Sequence, residues 1–265
     1  MNIVLIGAGN VATHLGPALQ EAGETIVQIY SRTAASAAPL AARMKVPYTT
    51  SLDALVDDAD LYCVMLADEA LLQLIPAIVK GREKALFVHT AGSVPLSVWK
   101  GYAARCGVLY PMQTFSKQRP LNFKEVPLFV EASDGPSLDL LMQLAGCLSR
   151  HLFQLDSEQR KWLHLGAVFA CNFTNNLYAA CARILKEENI PFSVMLPLIG
   201  ETVGKLSRMT PLEAQTGPAL RRDSHVMASQ LSLLEQMASE PRLAAIYKLL
   251  SDNIIEYDQL RPEQD

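Results

Sequence analysis

Gly7, Gly9 and Ala12 stand as G-x-G-x-x-A, directly after the run "NIVLI" and at the head of an amphipathic segment. Each has its own use at a dinucleotide. A first glycine permits a tight turn, a second lets backbone approach a pyrophosphate, and a small third residue lets the helix pack close to its strand. The helix start then offers unpaired N–H groups to phosphate oxygens. The hexapeptide alone is weak, since glycine pairs occur in many turns, and its place between strand and helix gives it weight. Gly7, Ala8, Gly9, Asn10 and Val11 are therefore the candidate pyrophosphate residues. At the end of the next strand-like run, "TIVQIY", an acid is expected to grip a ribose hydroxyl. Ser31, Arg32 and Thr33 stand there instead. A carboxylate would repel a 2′-phosphate, whereas an arginine pairs with one through charge-assisted hydrogen bonds, and flanking hydroxyls add neutral ones. The pattern points to NADP in preference to NAD; a solvated arginine at a strand end is the plainer alternative.

Other residues could do chemistry further along. "HTAGSVP" and "YPMQTFS" each follow a strand-like run, which places them at the carboxyl edge of a sheet, where ligands of open α/β proteins bind. His89 and Thr90 can there reach the nicotinamide end, and Gln113, Thr114 and Ser116 can line the pocket mouth. The alternative is a hydrogen-bonded buried His89 and a "YP" that only starts a turn. Asp68 opens a helical segment and reads as a cap. On a long helical segment, His164, Cys171 and Asn175 fall within about 20° of one line at about 100° per residue, with Asn172 roughly 80° away. Amides on an apolar helix need partners, at a substrate or across a subunit interface. His164 and Asn172 join His89 as catalytic candidates, against the plainer reading of a satisfied core histidine. "TGPALRRD" reads as a Gly-Pro helix start carrying Arg221, Arg222 and Asp223, with Arg221 and Asp223 on opposite sides of a helix. A helix N-terminus with an arginine suits an anionic group, so Gln113, Thr114, Arg221 and Asp223 are the candidate substrate residues; a cap and salt-bridge network is the alternative.

These residues need a scaffold. Short apolar runs at "NIVLI", "TIVQIY", "DADLYCVML", "ALFVHT" and "GVLYP" alternate with helical segments, which argues for a mostly parallel, doubly wound α/β sheet with helices on both faces. "VPLFVEAS" and "HLFQLD", with a helix between them, should complete it. After Asp156 every segment has helical periodicity, so the division is residues 1–155 for cofactor binding and 156–265 for an all-helical domain. "SEQRKWLHLGAVFACNFTNNLYAACARILKEEN" can run as one helix of roughly 30 residues, capped by Asp156 or Ser157 and stopped at Asn189 and Pro191. It is too apolar around its circumference for one small domain to cover, which predicts a homodimer. The tail "RPEQD" is expected to fray.

Half of the 265 residues are hydrophobic, 19% are charged and the formal net charge is −4, an ordinary globular composition with no electrostatic reason to expect nucleic acid or an anionic membrane as partner. The five cysteines form no C-x-x-C pair, so neither a disulfide framework nor a metal site is indicated. Met1 and Asn2 lead directly into a strand, without the pattern of a signal peptide, and asparagines interrupt the most apolar helix. A reducing, cytoplasmic setting is expected.

Taken together, "GAGNVA", "YSRT", "HTAGS", "YPMQTFS", "ACNF" and "TGPALRRD" resemble, in order and over nearly the whole length, a family of uncharacterised NADP oxidoreductases. That family joins a Rossmann-like domain to a C-terminal helical domain of unknown function, DUF2520. The wider superfamily includes pyrroline-5-carboxylate reductase, prephenate dehydrogenase and the β-hydroxyacid dehydrogenases. The last of these carry a lysine four residues before a helical asparagine, where this chain has Val168 before Asn172. Tyr110 likewise replaces the histidine of the "HPM" of prephenate dehydrogenases. The resemblance implies hydride transfer between NADP(H) and a small imine or carbonyl compound. The contrasting expectation is a non-catalytic NADP-binding sensor, which needs no acid or base.

Overall fold

A computed structural model describes residues 1–237 and 239–259. The tail expected to fray, "RPEQD", lies outside the described residues. The first strands are β1 (Asn2–Ile6), β2 (Thr25–Tyr30), β3 (Tyr48–Thr49) and β4 (Leu61–Val64); β5 (Leu86–His89), β6 (Arg105–Pro111), β7 (Leu128–Ala132) and β8 (Leu152–Gln154) follow. They form one sheet in the order β3-β2-β1-β4-β5-β6-β7-β8. All neighbours are parallel except β6 and β7. Along β1 the side chains alternate between faces, as a strand's period of two requires. Ile3 and Leu5 join a core under α1 (Asn10–Glu21), α2 (Ala34–Met44) and α4 (Gly135–Leu148). Val4 and Ile6 join a second core under α3 (Asp68–Val79) and Trp99. Each such fully buried aliphatic contributes roughly 1.5–3 kcal/mol, so both faces are strongly held. The chain turns outward in opposite directions from β1 and β4, which makes their carboxyl ends the switch point of the sheet.

After β8 every regular element among the described residues is helical. The long helix is continuous from Ser157 to Lys186, as α5 (Ser157–Ala167), a π-helical stretch at Val168–Phe173 and α6 (Thr174–Lys186). Asp156 caps it: its carboxylate accepts from Gln159 N at 2.8 Å while Gln159 Oε1 accepts from Asp156 N at 3.0 Å. Asn189, in the left-handed region at φ 56°, ends the run as the sequence suggests. The π-helical stretch corrects one expectation. Its i→i+5 bonds place about one extra residue in the turn, so His164 does not share the line with Cys171 and Asn175 that a constant angle of about 100° per residue gives.

The chain divides into two compact units, Met1–Asn172 and Phe173–Asp265. Helix α5 therefore clusters with the sheet, because polar contacts described below pin it there. In the second unit, α7 (Leu196–Lys205), the short α8 (Pro211–Ala214), α9 (Ser224–Gln236) and α10 (Leu243–Asp258) follow α6. Arg183 pairs with Glu240 at 2.7 Å, and the Tyr247 hydroxyl on α10 donates to Gln230 on α9 at 2.7 Å. No helix among the described residues is long and apolar enough to cross a membrane.

Candidate cofactor and substrate site

The registers Ile6↔Tyr30 and Ile6↔Val64 bring the ends of β1, β2 and β4 level. Gly7, Ser31 and Met65 follow them along one edge. Gly7 adopts φ 121°, and a Cβ there would stand 2.4 Å from the Met65 carbonyl oxygen, so glycine is required on both counts. Its N–H donates to Tyr30 O at 2.8 Å, tying the glycine turn to the end of β2.

Gly9 differs, because a Cβ there would meet nothing within 4 Å. It occupies the N-cap of α1, no side chain caps that end, and the first turn holds no acidic residue. The leading N–H groups of α1 thus face open space with the positive end of the helix behind them. Asn10 and Val11 form the first turn, and Ala12 is fully buried against the core. The end of β2 repeats the arrangement. Thr33 is the N-cap of α2 without a side-chain cap bond, its hydroxyl donating to Ser36 Oγ at 3.0 Å. Arg32 is exposed and, among the described residues, has no hydrogen bond or ion pair, leaving its charge uncompensated beside two open helix ends.

At the carboxyl end of β5, Thr90 N donates to Val64 O at 3.2 Å, and Thr90 is 8% exposed. His89 is fully buried, with its ring 6.2 Å from that of Trp99 and Nδ1 accepting from Ala91 N at 3.2 Å. Burial, and secondarily the Arg160 guanidinium, push its pKa down to about 3 against a weaker upward pull from the Pro95 backbone. The ring is neutral and enclosed near neutral pH, which fits the buried alternative for His89 and leaves a catalytic place for it as a proposal.

Past β6 the chain carries Gln113 and Thr114 into the exposed loop. Gln113 Oε1 accepts from Thr114 N at 2.8 Å, and Ser116 O meets His14 Nε2 of α1 at 2.9 Å. That contact holds the loop beside the helix that follows the glycine turn. Asp68 is the first residue of α3 and not its cap; its carboxylate accepts from the Ser93 hydroxyl.

His164 reaches the same edge from α5. Its Nδ1 lies 3.1 Å from the Tyr110 hydroxyl at the end of β6, and both side chains press on Gly92 of the "HTAGS" turn. What holds α5 there was not visible in the motifs. Arg160, 1% exposed, pairs with Glu131 of β7 and donates to Val94 O at 2.6 Å. Ser157 Oγ donates to Glu131 at 2.9 Å and accepts from Leu96 N at 2.9 Å. Arg160 and His164, four residues apart, share one face of α5. A glutamate in the otherwise apolar run "VPLFVEAS" is the signal that could have found the pair.

Asn172 is exposed in the π-helical stretch, eight residues from His164, about 12 Å along a helix at 1.5 Å per residue. In the second unit, residues 217–222 form turns, with Arg222 in the left-handed region, and the helix begins only at Ser224. The expected start at Gly217 and Pro218, with Arg221 and Asp223 on opposite helix faces, is thereby corrected. Asp223 caps α9, accepting from Val226 N at 3.1 Å, so a carboxylate already fills the helix end proposed for an anion; Arg221 is exposed.

Residues 1–84 match the model of the oxidoreductase family with an NAD-binding Rossmann fold, and residues 126–254 match the domain of unknown function DUF2520. Among curated proteins none matches. The crystal structure of a "putative NADP oxidoreductase" from Bacteroides fragilis is 52% identical, with 96% of this chain and 98% of that chain covered and a TM-score of 0.91. At 16% identity, 1-pyrroline-5-carboxylate reductase from Streptococcus pyogenes shares the fold, with 98% and 99% covered and a TM-score of 0.62. An imine reductase from Myxococcus stipitatus in complex with NADP+ is also 16% identical, with 98% and 93% covered and a TM-score of 0.60. The chain therefore belongs to the family of the Bacteroides fragilis protein, in which an NAD-binding oxidoreductase domain of Rossmann fold precedes a DUF2520 domain.

Proposed function

We propose that the chain is an NADP-dependent oxidoreductase acting on a small imine or carbonyl compound. The observation that carries this reading is the pair of uncapped helix ends, above Gly9 and beside the unpaired Arg32, joined by the Gly7–Tyr30 hydrogen bond. Open N–H groups, a clear approach over Gly9 and a free guanidinium fit a pyrophosphate and a 2′-phosphate. Gly7, Ala8, Gly9, Asn10 and Val11 would hold the first; Ser31, Arg32 and Thr33 the second. When bound, the cofactor supplies the hydride. Thr90 belongs to the same edge, and His164 and Asn172 bind and orient the substrate, with Gln113 and Thr114 as further contacts. The Bacteroides fragilis relative's description supports the cofactor, and the shared fold with two reductases of C=N bonds supports the substrate class.

The test is NADPH oxidation against a panel of cyclic imines, ketones and ketoacids, alongside NADPH binding. Turnover that falls more than tenfold in Asn172→Ala at unchanged NADPH affinity is expected, since misplacing a reacting group costs about a hundredfold. Tight binding without turnover across the panel would favour a sensor.

The reading includes a homodimer. Trp162 and Leu165 on α5 are 74% and 47% exposed, and Leu177 and Ile184 on α6 are 39% and 41% exposed. Large apolar side chains left exposed on both parts of one helix fit a protein-interaction surface, and a second copy presents the same residues. Light scattering at micromolar concentration should report twice the 29.0 kDa chain mass; a monomer would refute the dimer.

A further inference from the structure

We infer that Tyr110, with the space left by Gly92, is a positioning residue that fixes the His164 ring so that Nε2 always carries a proton, and that the substrate atom facing it is a hydrogen-bond acceptor. The inference rests on the reductase reading for its substrate and on the geometry for the rest.

Tyr110 is 8% exposed and His164 partly exposed, so the hydroxyl is the inner partner and the imidazole the outer one. The rings meet nearly edge to face, with centroids 6.1 Å apart at an interplanar angle of 68°. Gly92 closes the third side. A Cβ there would lie 2.6 Å from His164 Nδ1 and 2.8 Å from Tyr110 Cζ, so any larger residue would push into the pair. Gly92 has no positive φ, and the reason for glycine is this close approach. Burial raises the Tyr110 pKa, opposed by the Arg160 guanidinium, so the phenol keeps its proton near neutral pH.

The consequence is a matter of counting protons. When His164 is neutral, Nδ1 is the one acceptor within hydrogen-bond reach of the buried phenol hydroxyl among the described residues, so donation from the phenol to Nδ1 satisfies the hydroxyl and selects the tautomer with the ring proton on Nε2. When His164 is cationic, Nδ1–H donates to the phenol oxygen, and Nε2 is again protonated. Nε2, on the far side of the ring, is thus a donor in both states. A donor suits a carbonyl oxygen or an unprotonated imine nitrogen, and leaves no partner for the N–H of a protonated iminium.

The test is ring-nitrogen NMR of the full, ¹⁵N-labelled chain about two pH units above the unperturbed histidine pKa of roughly 6.5. His164→Gln assigns the signal among the five histidines. The wild-type ring should show a protonated Nε2 and an Nδ1 shifted by an accepted hydrogen bond. In Tyr110→Phe the ring packing survives and Nδ1 should move to the position of a free, unprotonated nitrogen; Gly92→Ala should produce the same shift by parting the pair. A proton on Nδ1 in the wild type, or an Nδ1 signal unmoved in Tyr110→Phe, would overturn the inference. NADPH titration of the same samples separates the two readings. Binding with the wrong tautomer sinks only the role of Tyr110, whereas the expected tautomer without NADPH binding sinks the reductase reading on which the substrate chemistry rests.

Discussion

Replacing Gly7 and Gly9 by alanine, one at a time, should damage two different things, although the motif treats them alike. At Gly7 the new Cβ would lie 2.4 Å from the Met65 carbonyl oxygen, and φ is 121°, outside the ordinary range of an L-residue. Backbone strain of this kind costs about 1–3 kcal/mol. The overlap with the Met65 carbonyl, just past β4, adds to it, so a loss of at least about 2 kcal/mol is expected. That corresponds to a fall in Tm of roughly 4–8 °C for a chain of this size. At Gly9 the Cβ meets nothing within 4 Å and the backbone is extended, at φ −81° and ψ −164°. The fold should change by less than about 1 kcal/mol, the scale of an N-cap substitution. The methyl group stands instead where a pyrophosphate would approach. Losing one charge-assisted contact there costs about 1.5–3 kcal/mol, or ten- to hundredfold in NADPH affinity. Differential scanning calorimetry and fluorescence titration of both variants measure the two effects. A Gly9→Ala protein that binds NADPH as the wild type does would refute the reasoning, as would a Gly7→Ala protein with unchanged Tm.

Glu131→Gln should cost about 3 kcal/mol in urea unfolding, because it leaves the Arg160 guanidinium, 1% exposed, without its counter-charge; a change under about 1 kcal/mol would show that the pair does not anchor α5. His89, held neutral with its pKa lowered to about 3, makes stability fall with acid. Below the unfolded value of about 6.5 the unfolded chain takes up a proton that the folded chain refuses. Stability should therefore drain from pH 6.5 towards 3 by up to about 1.4 kcal/mol per unit. His89→Gln should flatten that slope, and an unchanged slope would mean that other groups carry it.

The sheet was legible because its strands are short apolar runs separated by punctuated helices, and buried parallel strands can hardly look otherwise. The glycine turn and the bare end of "TIVQIY" were legible for a different reason: they depend on backbone and on charge sign, which a sequence states directly. Three features were not. The π-helical stretch leaves no mark in "VFACNF", so angular arithmetic across it failed. The burial of His89 depends on Trp99, which comes from a separate turn, and its lowered pKa depends in part on Arg160, from α5. The contact of Tyr110 with His164 joins residues 54 positions apart, and no spacing rule reaches that far. "TGPALRRD" was misread because Gly-Pro resembles a helix start, while Asp223 carries the capping that the chain uses.

Arg32, unpaired beside two open helix ends, is proposed to read the 2′-phosphate of NADP. Titration of the unmodified protein and of Arg32→Asp with NADPH and with NADH tests it most directly. The unmodified protein should bind NADPH at least about tenfold more tightly than NADH, the scale of one charged contact. In Arg32→Asp the NADPH affinity should fall by about ten- to hundredfold, with NADH little changed, from the loss of one charged contact of about 1.5–3 kcal/mol. Equal affinities for the two nucleotides in the unmodified protein would contradict it.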